Sequence, residues 1–117
     1  MIGTDIVNVK RIAKMDIKDF CKKVFNEDEA NYIISKKNPV YTAAGIFAAK
    51  EAVVKALGTG FNSEVTYKDI EICHNTQGMP CVLLKNKAKA ILMDKGDEMF
   101  ISISHDGNYA IAFAMIK

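Results

Sequence analysis

Several classes are excluded by what the chain has little of. No stretch approaches the roughly 18 consecutive apolar residues that a membrane-spanning helix needs, and the first residues lack a charged segment running into a hydrophobic export core. Neither a membrane partner nor secretion is expected. Charge of one sign is also scarce: 16 Lys and Arg stand against 14 Asp and Glu, a net of +2. A binder of the phosphate backbone carries a dense basic surface, so no nucleic acid partner is expected, and any anionic ligand has to be met locally. Cysteine is limited to Cys21, Cys73 and Cys81, odd in number and without the CxxC spacing of a zinc or redox site. These thiols are expected to be reduced, in a cytoplasmic protein. Prolines number only two, half the residues are apolar and about a quarter are charged, which is ordinary globular composition rather than disorder or a fibrous repeat.

What is present fits one domain spanning residues 1–117, enough chain for a single core. Ile2, Thr4 and Ile6 alternate with Gly3, Asp5 and Val7, the period of a strand. Asn8 then caps a first helix, and Asp16 a second whose apolar face carries Ile17, Phe20, Cys21, Val24 and Phe25. Asn26 with Glu29 resembles a capping arrangement for a third helix, to about Lys37. Asn38-Pro39 supplies a cap and a first-turn proline for the longest helix, which runs to Leu57 and stops at Gly58. Val65 to Cys73 and Cys81 to Lys85 read as strands joined at Gly78-Met79-Pro80. Asn86 to Lys95 has helical spacing and ends at Gly96. Phe100 to Ser104 and Tyr109 to Met115 form a second hairpin around Asp106-Gly107. Helices cluster in the N-terminal half and strands later, so the fold class is α+β with an antiparallel sheet.

Some residues break these local rules. Asp5 is a carboxylate inside an apolar strand, where it needs a partner or water; it is either a cap for the following helix or a metal ligand. On the long helix Ala43, Ile46, Phe47, Val53, Val54 and Leu57 form a buried stripe, and Lys50 falls in its middle. Glu51 and Lys55 have the spacing of a helix ion pair. Ala48, Ala49, Ala52 and Ala56 surround these charges with small side chains that admit another backbone or a ligand. Ser104-His105 comes at the end of a strand entering a turn, where side chains are often exposed and functional. No G-x-S-x-G elbow surrounds Ser104, which weakens a hydrolase reading, and His74 reads as a surface strand residue. The Gly58-Thr59-Gly60 turn falls short of a P-loop. Lys10, Arg11, Lys14 and Lys18 share a basic helical region that is by default solvated, although Arg11, the single arginine, suits a two-pronged grip on carboxylate or phosphate.

Taken together, GTDIV at 3–7, FAAKEAVVKALGTG at 47–60, DIEI at 69–72 followed by G-M-P at 78–80, and SISHD at 102–106 resemble the holo-acyl-carrier-protein synthases of the 4'-phosphopantetheinyl transferase superfamily. The resemblance covers nearly the whole chain in order, and its central Lys-Glu block is the most specific part. It implies the phosphopantetheinyl transferase fold and transfer of the 4'-phosphopantetheine arm of coenzyme A to a serine of apo-acyl carrier protein. Adenosine 3',5'-bisphosphate leaves, and the reaction supports fatty acid biosynthesis. It further implies a homotrimer with coenzyme A between subunits and a magnesium ion held by Asp5 and Glu51. Glu51 and Lys55 are the implied catalytic residues, Lys55 near the transferring phosphate. Lys50, Gly58, Gly60, Ser104 and His105 fall on the implied coenzyme A side, while Arg11 and Lys14 meet the acidic carrier, with Arg11 outside the cofactor cleft.

Magnesium takes oxygen ligands and keeps several waters, so two carboxylates plus pyrophosphate oxygens make a reasonable octahedral set. Serine is a weak nucleophile at neutral pH, and Glu51, a water on the metal or Lys55 can serve as its base. Ile46 stands where relatives often carry arginine, Met79 replaces the lysine of the G-K-P turn, and Asp16 and Asp19 make the helix junction less basic. Two other readings compete: a coenzyme A or carrier-binding module without turnover, and a transferase for specialised carrier domains, whose members usually hold two fused copies of the fold.

Overall fold

The computed structural model describes residues 1–117. Strand β1 (Ile2–Asn8) leads into helices α1 (Val9–Ala13), α2 (Ile17–Val24), α3 (Glu27–Ser35) and α4 (Pro39–Leu57); then come strands β2 (Ile70–His74) and β3 (Pro80–Leu84), helix α5 (Asn86–Lys95), and strands β4 (Met99–Asp106) and β5 (Tyr109–Ile116). The expected caps form. Asn8 accepts from the Lys10 N–H, Asp16 from Lys18 and Asp19, and Asn38 from Tyr41. Gly58 closes α4 in the left-handed region at φ 81°, a conformation that costs glycine no Cβ clash. The strand expected from Val65 begins only at Ile70, because Asp69 Oδ2 accepts from the Thr66 N–H and hydroxyl at 2.9 and 3.0 Å and closes a 3-10 turn over Tyr67–Asp69.

The strands form two antiparallel sheets rather than one: β1-β5-β4, and the β2-β3 hairpin. In the larger sheet the register pairs Gly3, Asp5 and Val7 with Ala114, Ala112 and Ala110, and this alternate set faces α4. Its side chains are small where the helix crosses. A Cβ on Gly3 would collide with the Ala52 carbonyl oxygen and stand 2.6 Å from the Ala56 nitrogen, so the alanines of α4 admit another backbone. The expectation of one buried stripe on α4 is corrected by this sandwiching. From Ala43 to Leu57 only Glu51 and Lys55 reach the surface. The opposite face of the sheet, with Ile2, Ile6, Phe100, Ile111, Phe113 and Met115, is each more than a third exposed.

Lys50 explains how a lysine survives at the centre of this packing. Its ammonium is fully buried, 2.6 Å from Glu29 Oε1, and donates to the Val24 and Tyr67 carbonyls at 2.7 and 2.9 Å. Three donors therefore meet three acceptors. Glu29 in turn accepts from the backbone N–H groups of Ile72 and Asn26 at 2.7 and 2.8 Å. Burial pushes the Lys50 pKa down and the Glu29 pKa up, while the ion pair pulls each back. Removing one partner strands the other's charge in the core, a loss of about 3–5 kcal/mol. Glu29→Gln should therefore destabilise the protein by about that amount in urea unfolding. The double variant Glu29→Leu/Lys50→Met should be more stable than either single replacement, because it leaves no buried charge.

Candidate active site

The two side chains that reach solvent between Ala43 and Leu57 of α4, Glu51 and Lys55, lie beside the strand carboxylate. Lys55 Nζ is 3.1 Å from Asp5 Oδ1 and donates to the Thr4 carbonyl at 2.9 Å. The expected Glu51–Lys55 helix pair does not form, because β1 crosses α4 and offers Lys55 closer acceptors. Glu51 Oε1 instead accepts from the Tyr67 hydroxyl at 3.3 Å. Burial first, and then the negative charge of Asp5, raise the Glu51 pKa, while the Tyr67 hydroxyl, Lys55 and Arg11 oppose the rise. Two carboxylates that repel each other across a partly buried cleft suit a cation. Nowhere in the chain do three His, Cys, Asp or Glu side chains gather as a metal cluster. The two carboxylates, Asp5 and Glu51, are themselves a donor set that fits a hard ion taking its remaining oxygens from water or ligand, as magnesium does.

Tyr67 was not legible in the sequence as a site residue. Its ring packs on Phe61 at 3.9 Å and Phe47 at 6.1 Å between centroids, and its carbonyl is held by buried Lys50. The hydroxyl that meets Glu51 is thus fixed from both ends of the residue.

His105 occupies a second region. Its Nε2 stands 2.9 Å from the Tyr41 carbonyl oxygen, which can only accept, so that nitrogen carries the proton in this contact. The ring stacks on Tyr41 at 4.1 Å and lies over Gly45, where a Cβ would come within 2.8 Å of Cε1. A cavity of about 200 Å³ opens here, bounded by His105, Ile103, Gly45, His74, Gly78 and Pro80 among others. His74 is stacked on Tyr32 at 4.0 Å, and burial followed by the Lys36 charge lowers its pKa. Gly45 and Lys55 are ten residues apart on α4, which separates the histidine region from the lysine by about 15 Å along the helix axis.

Residues 1–114 match the family model described as the 4'-phosphopantetheinyl transferase superfamily. The chain belongs to this superfamily. The holo-acyl-carrier-protein synthase of Caldanaerobacter subterraneus subsp. tengcongensis is 47% identical, over 97% of this chain and 91% of that protein. Among solved structures, Helicobacter pylori holo-acyl-carrier-protein synthase in complex with coenzyme A superposes with a TM-score of 0.88 at 31% identity, covering 100% of both chains. The Neisseria meningitidis holo-acyl-carrier-protein synthase gives 0.85 at 32%, over 97% of this chain and 94% of that one.

Within this superfamily fold the residues singled out from the sequence fall into distinct places. Asp5, Glu51 and Lys55 are brought together at the surface. Lys50 is not: it is 0% exposed with every donor used, so its assignment to coenzyme A is corrected to that of a core ion pair. Ser104 and His105 are among the last three residues of β4, as expected, just before the turn, and successive strand residues point to opposite faces. Ser104 is therefore on the outer sheet face, paired in register with Ile111, and does not share the His105 cavity. Gly58 and Gly60 lie beyond the end of α4, both at positive φ, with Gly58 bordering a cavity that also involves Lys87 and Lys95. Arg11 and Lys14 are exposed at α1 and its C-cap. The positive charge of Arg11 is the smallest of the influences that oppose the rise in the Glu51 pKa.

Proposed function

We infer that this chain transfers the 4'-phosphopantetheine arm of coenzyme A to a serine of apo-acyl carrier protein, giving holo-acyl carrier protein and adenosine 3',5'-bisphosphate. The observation that carries this reading is likeness to holo-acyl-carrier-protein synthases over the whole chain, joined to the fact that Glu51 and Lys55 alone emerge from the buried part of α4. The serine oxygen forms the new bond to the phosphorus bearing the arm, and the bond from that phosphorus to the nucleotide half breaks. Asp5 and Glu51 would hold the magnesium ion, which when bound supplies charge neutralisation on the pyrophosphate. Tyr67 fixes the Glu51 carboxylate by its hydroxyl, and Lys55, with 53% of its side chain exposed, presents its ammonium to the oxygens of the transferring phosphate. His105, held by Tyr41 and Gly45, borders the coenzyme A side, and Gly58 and Gly60 shape the loop after α4. The reaction belongs in the cytoplasm; no helix is long and apolar enough to cross a membrane.

The acting unit is a homotrimer with coenzyme A between subunits. Supporting this are the apolar outer face of the β1-β5-β4 sheet, which exposes Ile2, Ile6, Phe100, Ile111, Phe113 and Met115 in the manner of an interaction surface, and the distance along α4 between the His105 cavity and the carboxylates. A pocket of about 340 Å³ at Asp5 and Lys55 also includes Thr4, Ile6 and Ile111 from that outer face, so a neighbouring subunit there would help to wall the site. Ile111→Asp should give a monomer by light scattering and lose most transfer activity. A monomer in the unmodified protein at full activity would contradict the assembly.

Incubation with coenzyme A, magnesium and an apo-carrier should add one phosphopantetheine unit to the carrier's intact mass. Asp5→Asn and Glu51→Gln should each slow that gain by at least about 10²-fold while the circular dichroism spectrum is kept. Normal rates in both variants at limiting magnesium would remove them as ligands.

The exposed basic residues Arg11 and Lys14 serve the carrier, whose acidic helix they attract in a salt-screened manner. Since the charge of Arg11 also reaches Glu51, Lys14 gives the cleaner test. Lys14→Glu should raise KM for the carrier and leave KM for coenzyme A near its starting value, with the difference shrinking as salt is added.

A further inference from the structure

The β2-β3 hairpin carries chemistry that phosphopantetheine transfer does not use. Its register makes Cys73 and Cys81 direct partners across the two strands. Opposed residues of an antiparallel pair have Cα atoms about 4.5 or 5.5 Å apart, and both spacings fall inside the window that a disulfide spans without backbone movement. The two Sγ atoms already face each other at 2.6 Å. Cys21, on α2, is the third free cysteine and stands apart from this pair. We propose that Cys73 and Cys81 form a thiol–disulfide exchange site, closing a cross-strand bridge on the hairpin when a small-molecule disulfide such as oxidised glutathione accepts the electrons.

The two thiols differ in a way that orders the steps. Cys81 is exposed and Cys73 is half-buried. Burial, followed by the hydrogen bond and charge of Cys81, pushes the Cys73 thiol up to about 12, so Cys73 keeps its proton. Cys81 gives its proton to water and attacks one sulfur of the small disulfide; a bond forms between Cys81 and that sulfur, and one glutathione thiolate leaves. With Cys81 now capped and no longer a neighbouring thiol, Cys73 gives its proton to water, and its thiolate attacks the Cys81 sulfur and expels the second glutathione as a thiolate that takes a proton from water. Two protein thiols are oxidised to one disulfide, and one glutathione disulfide is reduced to two thiols.

The bridge would lock a hairpin that borders the histidine cavity. His74 and Pro80, the neighbours of the two cysteines, point to the opposite face of the hairpin and belong to the cavity that holds His105. The connecting turn is closed by the Asn75 N–H donating to the Met79 carbonyl at 3.0 Å and the Met79 N–H donating to Asn75 Oδ1 at 2.9 Å. A covalent tie at Cys73–Cys81 restrains this pairing next to the His74–Tyr32 stack.

The folded protein is treated with oxidised glutathione, and thiols, intact mass and peptide linkage are read. Titratable thiols should fall from three to one, the mass should drop by two hydrogen atoms with no glutathione retained, and the linked peptides should be those of Cys73 and Cys81. Cys21→Ser should keep the bridge, whereas Cys73→Ser should leave a stable glutathione adduct on Cys81. Backbone amides between Ile70 and Leu84 should exchange with solvent about tenfold more slowly in the bridged form. Retention of glutathione on Cys81 beside a free Cys73 in the unmodified sequence would overturn the proposal. So would consumption of Cys21 as fast as the pair, or cross-linking between chains.

Discussion

Most of this structure depends on a lysine placed where water cannot follow. The ammonium of Lys50 ties α4 to the carboxylate of α3, to the carbonyl at the end of α2 and to the carbonyl of Tyr67, while Glu29 extends the network to the first turns of α3 and to β2. No buried side-chain nitrogen or oxygen is left without a partner, which is the condition under which such a pair is tolerated rather than ruinous. The network is one residue away from Glu51 and holds the backbone of the tyrosine whose hydroxyl meets Glu51. Stability and site geometry are therefore set by the same contacts.

A second constraint is the close approach of α4 to the larger sheet. Gly3 on β1, the alternate alanines of β5 and Ala52 and Ala56 of α4 remove the side-chain volume that would hold helix and sheet apart. Close packing of this kind leaves little room for variation in the position of the strand. It carries Asp5 to the helix face from which Lys55 and Glu51 emerge. Gly45 does the same for the imidazole of His105 one end of the helix away. The larger side chains are displaced to the outer sheet face, which is why that face is apolar.

Local signals along the chain were legible because they act over a few residues. Asn8, Asp16 and Asn38 cap helices whatever the rest of the molecule does, Gly58 ends α4, and the turn at Asp106-Gly107 joins two strands. Where a local signal was misread, another local bond had won: the side chain of Asp69 bends residues 66–69 into a turn that apolar alternation alone presents as strand. The Lys-Glu block of α4 pointed to chemistry only through its resemblance to the family motif, since the spacing of Glu51 and Lys55 alone also suits a structural helix pair.

The sequence by itself determined the helix and strand order, the α+β class and that Asp5 and Lys50 are out of place in their elements, while Glu51 and Lys55 stood out only through the family resemblance. Only the tertiary structure decided which partner each charge takes. Lys50 and Lys55 differ by five positions on one helix, yet one is sealed against Glu29 and the other faces Asp5 and water. The same holds for Ser104 and His105, which are adjacent in sequence and divided by the sheet, and for Cys73 and Cys81, which hairpin register brings together. Caps and turns are fixed by bonds between near neighbours, whereas burial and ion pairing depend on segments brought together across the whole chain, and their energies are known only once those segments have met.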